Sequence, residues 1–92
     1  MEILKYPSPN FGSRREDTKI KFIILHYTAM DKQSSLDRLC SRDYEVSCHY
    51  LIDLGGICYQ LVDDNKRAWH AGKSFWRGLR DINSRSLGIE LV

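Results

Sequence analysis

Proline is nearly absent from this sequence, at two residues in 92, and glycine is sparse at six. That scarcity excludes a collagen-like repeat and argues against a disordered, low-complexity chain. No apolar run approaches the ~18 residues that a membrane-spanning helix needs, so no membrane span is expected. The N-terminal stretch MEILKYPSPNF lacks the uninterrupted apolar core of a signal peptide. As written the chain reads as cytoplasmic, and as periplasmic or secreted only if a leader has been removed. Neither sign of charge dominates: fourteen Lys and Arg stand against twelve Asp and Glu, a formal charge of +2, and the two signs are interspersed. No nucleic-acid partner is expected from that pattern. Three cysteines, Cys40, Cys48 and Cys58, are too few and odd in number for a complete disulfide framework, and no C-x-x-C pair marks a zinc knuckle. Buried free thiols are the expectation, with a Cys40–Cys48 bridge as the alternative.

What is present is an ordinary globular composition, 42% hydrophobic and 28% charged, in a length that suits one domain. Residues 1–18 carry both prolines and read as an extended arm, and residues 19–92 read as sheet, helix, hairpin and loop. KIKFIILHY places Ile20, Phe22, Ile24 and His26 on one strand face and Ile23, Leu25 and Tyr27 on the other. With apolar residues on both faces, this strand is expected to be central and covered on both sides. In SSLDRLCSR, Leu36, Leu39 and Cys40 fall at i, i+3 and i+4, and Ser34 with Asp37 resembles a capping box, so a short amphipathic helix is expected. VSCHYLIDLGGICYQLV reads as a hairpin turning at Gly55 and Gly56, which supply positive φ angles. KRAWHAGKSFWRGLRDINSRS keeps no period and reads as a long loop, and LGIELV reads as a final strand. The fold class is therefore α/β, a mixed β-sheet with flanking helices. The apolar strand at the end has no following cap, so the chain reads as cut short.

Four residues invite chemistry. His26 ends the first long strand, at the sheet edge where ligand sites collect, and suits a metal ligand or an acid/base as well as a hydrogen-bonded structural role. His49 alternates with Cys48, so the two point to opposite sides and cannot share a metal without a bulge. His70 lies between Trp69 and Ala71, either lining a cleft or packing against indole. Glu90 interrupts an apolar strand, where an unpaired carboxylate costs on the order of several kcal/mol; it is either a site carboxylate or a residue facing solvent with Gly88 and Val92. The aromatics of AWHAGKSFWRG offer flat faces to a ligand, and Arg77 and Arg80 could hold a carboxylate.

Read together, SPNFGSRR, IKFIILHYTA, VSCHYLID, AWHAGKSFWRG and INSRSLGIELV resemble, in order and spacing, the type 2 N-acetylmuramoyl-L-alanine amidases. These zinc enzymes cleave the amide between muramic acid and L-alanine in peptidoglycan, and the resemblance runs from about Ser8 to the last residue. It implies that His26 is the first zinc ligand and that Glu90 acts on the attacking water. It also implies that Trp69, His70 and Ala71 border the substrate cleft, and Tyr27 and His49, within the two strand motifs, join them as candidate substrate contacts. Cys48 stands where the phage-lysozyme and peptidoglycan-recognition branches commonly have tyrosine, which together with Glu90 places the chain nearer the bacterial branch.

The family's other two zinc ligands, a histidine and an aspartate or cysteine, lie downstream of the strand that ends this sequence. A missing C-terminal segment is therefore expected to supply them, since catalytic zinc needs three protein ligands. The implied partner is peptidoglycan or a muropeptide and the implied cofactor Zn2+. A non-catalytic muropeptide-binding module and an inactive fragment are the other readings.

Overall fold

The computed structural model describes residues 2–71, 75–76 and 78–92, the pair 75–76 in backbone only. In chain order the elements are β1 (Ile3–Lys5), β2 (Phe11–Ser13), β3 (Phe22–Tyr27), α1 (Lys32–Leu39), β4 (Tyr50–Ile52), β5 (Cys58–Gln60), β6 (Lys66–Ala68), β7 (Phe75–Trp76), β8 (Leu79–Arg80), a 3₁₀ turn at Ile82–Arg85, and β9 (Ser86–Leu91). Five strands form one mixed sheet in the order β1-β5-β4-β9-β3, while β2 pairs with β6 and β7 with β8. β9 runs parallel to both of its neighbours, and β4 and β5 form the antiparallel hairpin expected from the sequence.

The hairpin turn is organised by Asp53, whose carboxylate accepts the backbone N–H groups of Gly55 and Ile57. Of the two glycines only Gly56 needs a positive φ, 85°. The expected helix is α1, but its start is set one turn earlier than the capping-box reading. Asp31 is the N-cap and accepts from the Ser34 N–H at 2.7 Å, so Ser34 lies inside the helix. Leu36 and Leu39 then face inward and join Cys48, Leu51, Tyr59, Leu61, Val62 and Ala68 in the core. Each such buried aliphatic side chain contributes roughly 1.5–3 kcal/mol.

Three expectations are corrected. Among the described residues β9, not β3, has strand neighbours on both sides, and β3 lies at the edge of the sheet. Its Ile23, Leu25 and Tyr27 are 67%, 59% and 82% exposed, because an apolar run records that both faces suit burial without recording what covers them. The arm is extended but integral: β1 pairs in parallel with β5, and Ser8 and Asn10 are buried, bonding the Leu39, Ser41 and Val46 carbonyls. The expected long loop contains β6, β7, β8 and the 3₁₀ turn. Its inner half is clipped by Arg67, which donates from Nε and an Nη to Asp81, the cap of that turn.

Cys40, Cys48 and Cys58 are all free thiols, without the alternative bridge. Burial raises the proton affinity of all three, Cys48 most strongly. Among the described residues no helix is long and apolar enough to cross a membrane.

Candidate functional site

Strand register aligns Leu4, Tyr59, Leu51, Glu90 and His26 in one row across the main sheet, so these side chains share a face. Leu51 and Tyr59 are covered there by Leu36 and Leu39 of α1. Where the helix stops covering the sheet, a cleft of about 320 Å³ opens, lined by Glu90 and His70 with Thr28, Met30, Ser35, Arg38, Ser47 and Trp69 among others. The parity of the last strand thus sends Glu90 toward a cleft and not to open solvent. Half-burial raises its proton affinity, and neighbouring His26 partly offsets the rise. A carboxyl group that holds its proton more tightly than usual suits a proton-transfer role.

His70 is held from two sides. Its backbone N–H and that of Ala71 both donate to Oδ1 of Asn83, at 3.1 and 2.9 Å. The ring lies flat in a slot over Gly88, where an added Cβ would sit 2.5 Å from two ring carbons. Its Nδ1 is 3.1 Å from His26 Nε2 and its Nε2 is 2.9 Å from Ser86 Oγ. Burial, with the nearby His26, His49, Arg14 and Arg67, pushes the His70 pKa down to about 3. The imidazole is therefore neutral at any ordinary pH.

His49 is fully buried. Its Nδ1 accepts the Gly88 N–H at 3.0 Å, which leaves the ring hydrogen on Nε2 to donate to the Lys66 carbonyl at 2.8 Å. Arg14, which can only donate, therefore merely touches Nε2 at 3.2 Å; its guanidinium bonds the carbonyls of Asp64, Asn83, Ser84 and Ser86. This corrects the expectation for His49: with both nitrogens engaged and no exposed surface, it braces the floor beneath the cleft.

The other expected residues fall as follows. His26, His70 and Glu90 converge, Trp69 lines the cleft, and Ala71 is anchored through its backbone. Tyr27 borders the cleft at the end of β3, yet strand alternation assigns its exposed side chain to the face opposite His26. Arg80 is exposed at the outer hairpin, and Arg77 lies outside the described residues. Sequence reasoning missed Arg38, Ser47, Asn83 and Ser86. The last two sit in INSRS, which runs into the first residue of the final strand, where clustered polar residues without a period were the available signal.

A zinc site needs three protein donors and an open position. Among the described residues no three His, Cys, Asp or Glu side chains are grouped to hold a metal ion. His26 fits as one donor, and these residues alone do not complete the set.

Comparison with known proteins gives this geometry its context. Residues 16–92 match the N-acetylmuramoyl-L-alanine amidase family. The chain is 45% identical to the N-acetylmuramoyl-L-alanine amidase AmiD of Escherichia coli K12, over 79% of this chain and 28% of that protein. It is 31% identical to the 1,6-anhydro-N-acetylmuramyl-L-alanine amidase AmpD of Haemophilus influenzae, over 91% of this chain and 55% of that protein. It therefore spans little more than half the length of the AmpD relative, and less of AmiD. Among solved structures, a selenomethionine AmpD derivative superposes with a TM-score of 0.84 at 29% identity, covering 98% of this chain and 60% of that one. E. coli AmiD in complex with anhydro-N-acetylmuramic acid-L-Ala-D-gamma-Glu-L-Lys superposes with a TM-score of 0.69 at 44% identity, covering 78% of this chain and 30% of that one. The mixed sheet is thus shared with these structures, and the chain belongs to the N-acetylmuramoyl-L-alanine amidase family.

Proposed function

We propose that the protein hydrolyses the amide between N-acetylmuramic or anhydro-N-acetylmuramic acid and L-alanine in peptidoglycan or its muropeptides, with zinc as cofactor. The observation that carries this reading is the juxtaposition of His26 and Glu90 in register on adjacent strands, with Glu90 and the His26-bonded His70 lining the cleft, in a chain of an amidase family. His26 would be one zinc ligand, and the set would be completed by residues other than those described. When bound, zinc supplies a Lewis acid for the amide carbonyl. Glu90, half-buried and with raised proton affinity, takes the proton of the attacking water. Trp69 offers a flat face to the sugar or peptide, and Arg38 offers a cation to a peptide carboxylate at the cleft wall.

The test is release of L-alanyl peptide from an anhydro-N-acetylmuramyl peptide, assayed with added zinc and with zinc content measured in the same samples. Turnover is expected, with His26→Ala losing zinc and activity together. Glu90→Gln should keep its zinc content and lose roughly 10²-fold or more in rate, as for loss of a general acid/base. Wild-type turnover in Glu90→Gln would remove Glu90 from the reaction. Tight muropeptide binding without any release would instead support a binding module.

A further inference from the structure

The polar chain beneath the cleft dictates where its hydrogens lie. The Ile82 carbonyl can only accept, so its 2.7 Å contact with Ser86 Oγ uses the one hydroxyl hydrogen of that serine. Ser86 Oγ must then accept from His70 at 2.9 Å, which puts a hydrogen on His70 Nε2. The His70 ring bonds a hydroxyl and an imidazole, with no carboxylate among its described partners. A largely buried imidazolium without a counter-charge is costly, so the ring is neutral and its Nδ1 is bare. His26 Nε2 lies 3.1 Å from that bare nitrogen. Unless His26 Nε2 carries a hydrogen, two lone pairs would face each other at bonding distance.

We infer that His70 is a positioning residue that, anchored by Ser86, holds His26 as its Nε2–H tautomer and leaves Nδ1 as the only ring nitrogen of His26 with a free lone pair. The slot over Gly88 and the two N–H bonds to Asn83 fix the ring and the backbone of His70, so the acceptor cannot swing away. Histidines that bind metal ions are commonly oriented by a hydrogen bond from the other ring nitrogen. Resting on the amidase reading, the consequence is that His26 would offer Nδ1 to the metal ion.

Nitrogen-15 NMR of the labelled, zinc-free protein at neutral pH tests this directly. The expected spectrum gives His26 a protonated Nε2, a bare Nδ1, and a through-hydrogen-bond nitrogen–nitrogen coupling from His26 Nε2 to His70 Nδ1. Ser86→Ala, which removes the acceptor for His70 Nε2–H, should weaken or abolish that coupling. A hydrogen on His26 Nδ1 in the wild type would overturn the inference without any variant, and an unchanged coupling in Ser86→Ala would remove Ser86 from it. The amidase reading fails separately. An active enzyme with His26 protonated on Nδ1 sinks only the tautomer assignment, and the expected spectrum in a protein that releases no L-alanyl peptide sinks only the amidase reading.

Discussion

Glu90 shows how one residue can work against the strand that holds it. Its pKa is raised chiefly by desolvation, so the fold prefers the neutral acid over the carboxylate. Below the unfolded value of 4.5 both states are protonated and the group is neutral to stability; above the folded value both are ionised and the fold bears the full cost. Glu90→Gln is therefore expected to raise the melting temperature at neutral pH by a few degrees, with the gain shrinking to nothing as the pH falls below that unfolded value. Paired thermal melts of wild type and variant at neutral and acidic pH check this. An equal offset at both would assign the change to shape and not to charge. A carboxylate that costs stability while facing a cleft is what a functional role predicts. The parity of LGIELV is legible in the sequence and places Glu90 with Gly88 and Val92. Which of the two faces holds the cleft is not, because alternation labels sides without saying what lies on them.

At the scale of elements, the features legible in the sequence are the local ones. The helix, the Gly-Gly hairpin and the last strand each depend on residues within a few positions of one another, and all three are present. The misreadings share a cause in distant partners. β1 exists because residues 3–5 find residues 58–60, and β2 because residues 11–13 find residues 66–68; three-residue segments carry too little periodicity to announce either. Even the helix start was displaced by a competing signal. Ser34 and Asp37 fit a capping-box spacing, but Asp31 accepts the Ser34 N–H, and the Ser35 hydroxyl donates to the Asp31 carbonyl. The two assignments differ in a measurable way. Asp31→Ala should lower the melting temperature by a few degrees, as expected for loss of a cap, whereas Ser34→Ala should leave it nearly unchanged. The reverse order in thermal melts would restore Ser34 as the cap.

Across the whole molecule, the site is a convergence of segments far apart in sequence: His26 from β3, His70 from the turn after β6, and Glu90 from β9. The motif strings contain all three, and the topology explains their meeting, because β9 inserts beside β3 and His70 packs over Gly88. The supporting residues were illegible for the same reason, since Asn83, Ser86 and Arg14 matter only through contacts made after folding. That construction leaves two imidazoles, His49 and His70, with pKa values lowered mainly by burial, His70 to about 3. Above the unfolded value of 6.5 both rings are neutral in either state and contribute no pH dependence. As the pH falls below it, the unfolded chain takes up protons that the folded one refuses, so stability falls with a limiting slope of about 1.4 kcal/mol per pH unit for each such group. Glu90 opposes this weakly at the acid end, where the fold holds its proton more tightly than the unfolded chain. Urea midpoints measured from mildly alkaline to acidic pH are therefore expected to be flat at first and then to drop below about 6.5. His70→Gln, which removes one of the refused protons, should shallow that drop even if it lowers the midpoint throughout. A wild-type midpoint that stays level through this range would mean that the buried imidazoles accept protons in the folded state, and that the hydrogen bonds around His49 and His70 open readily.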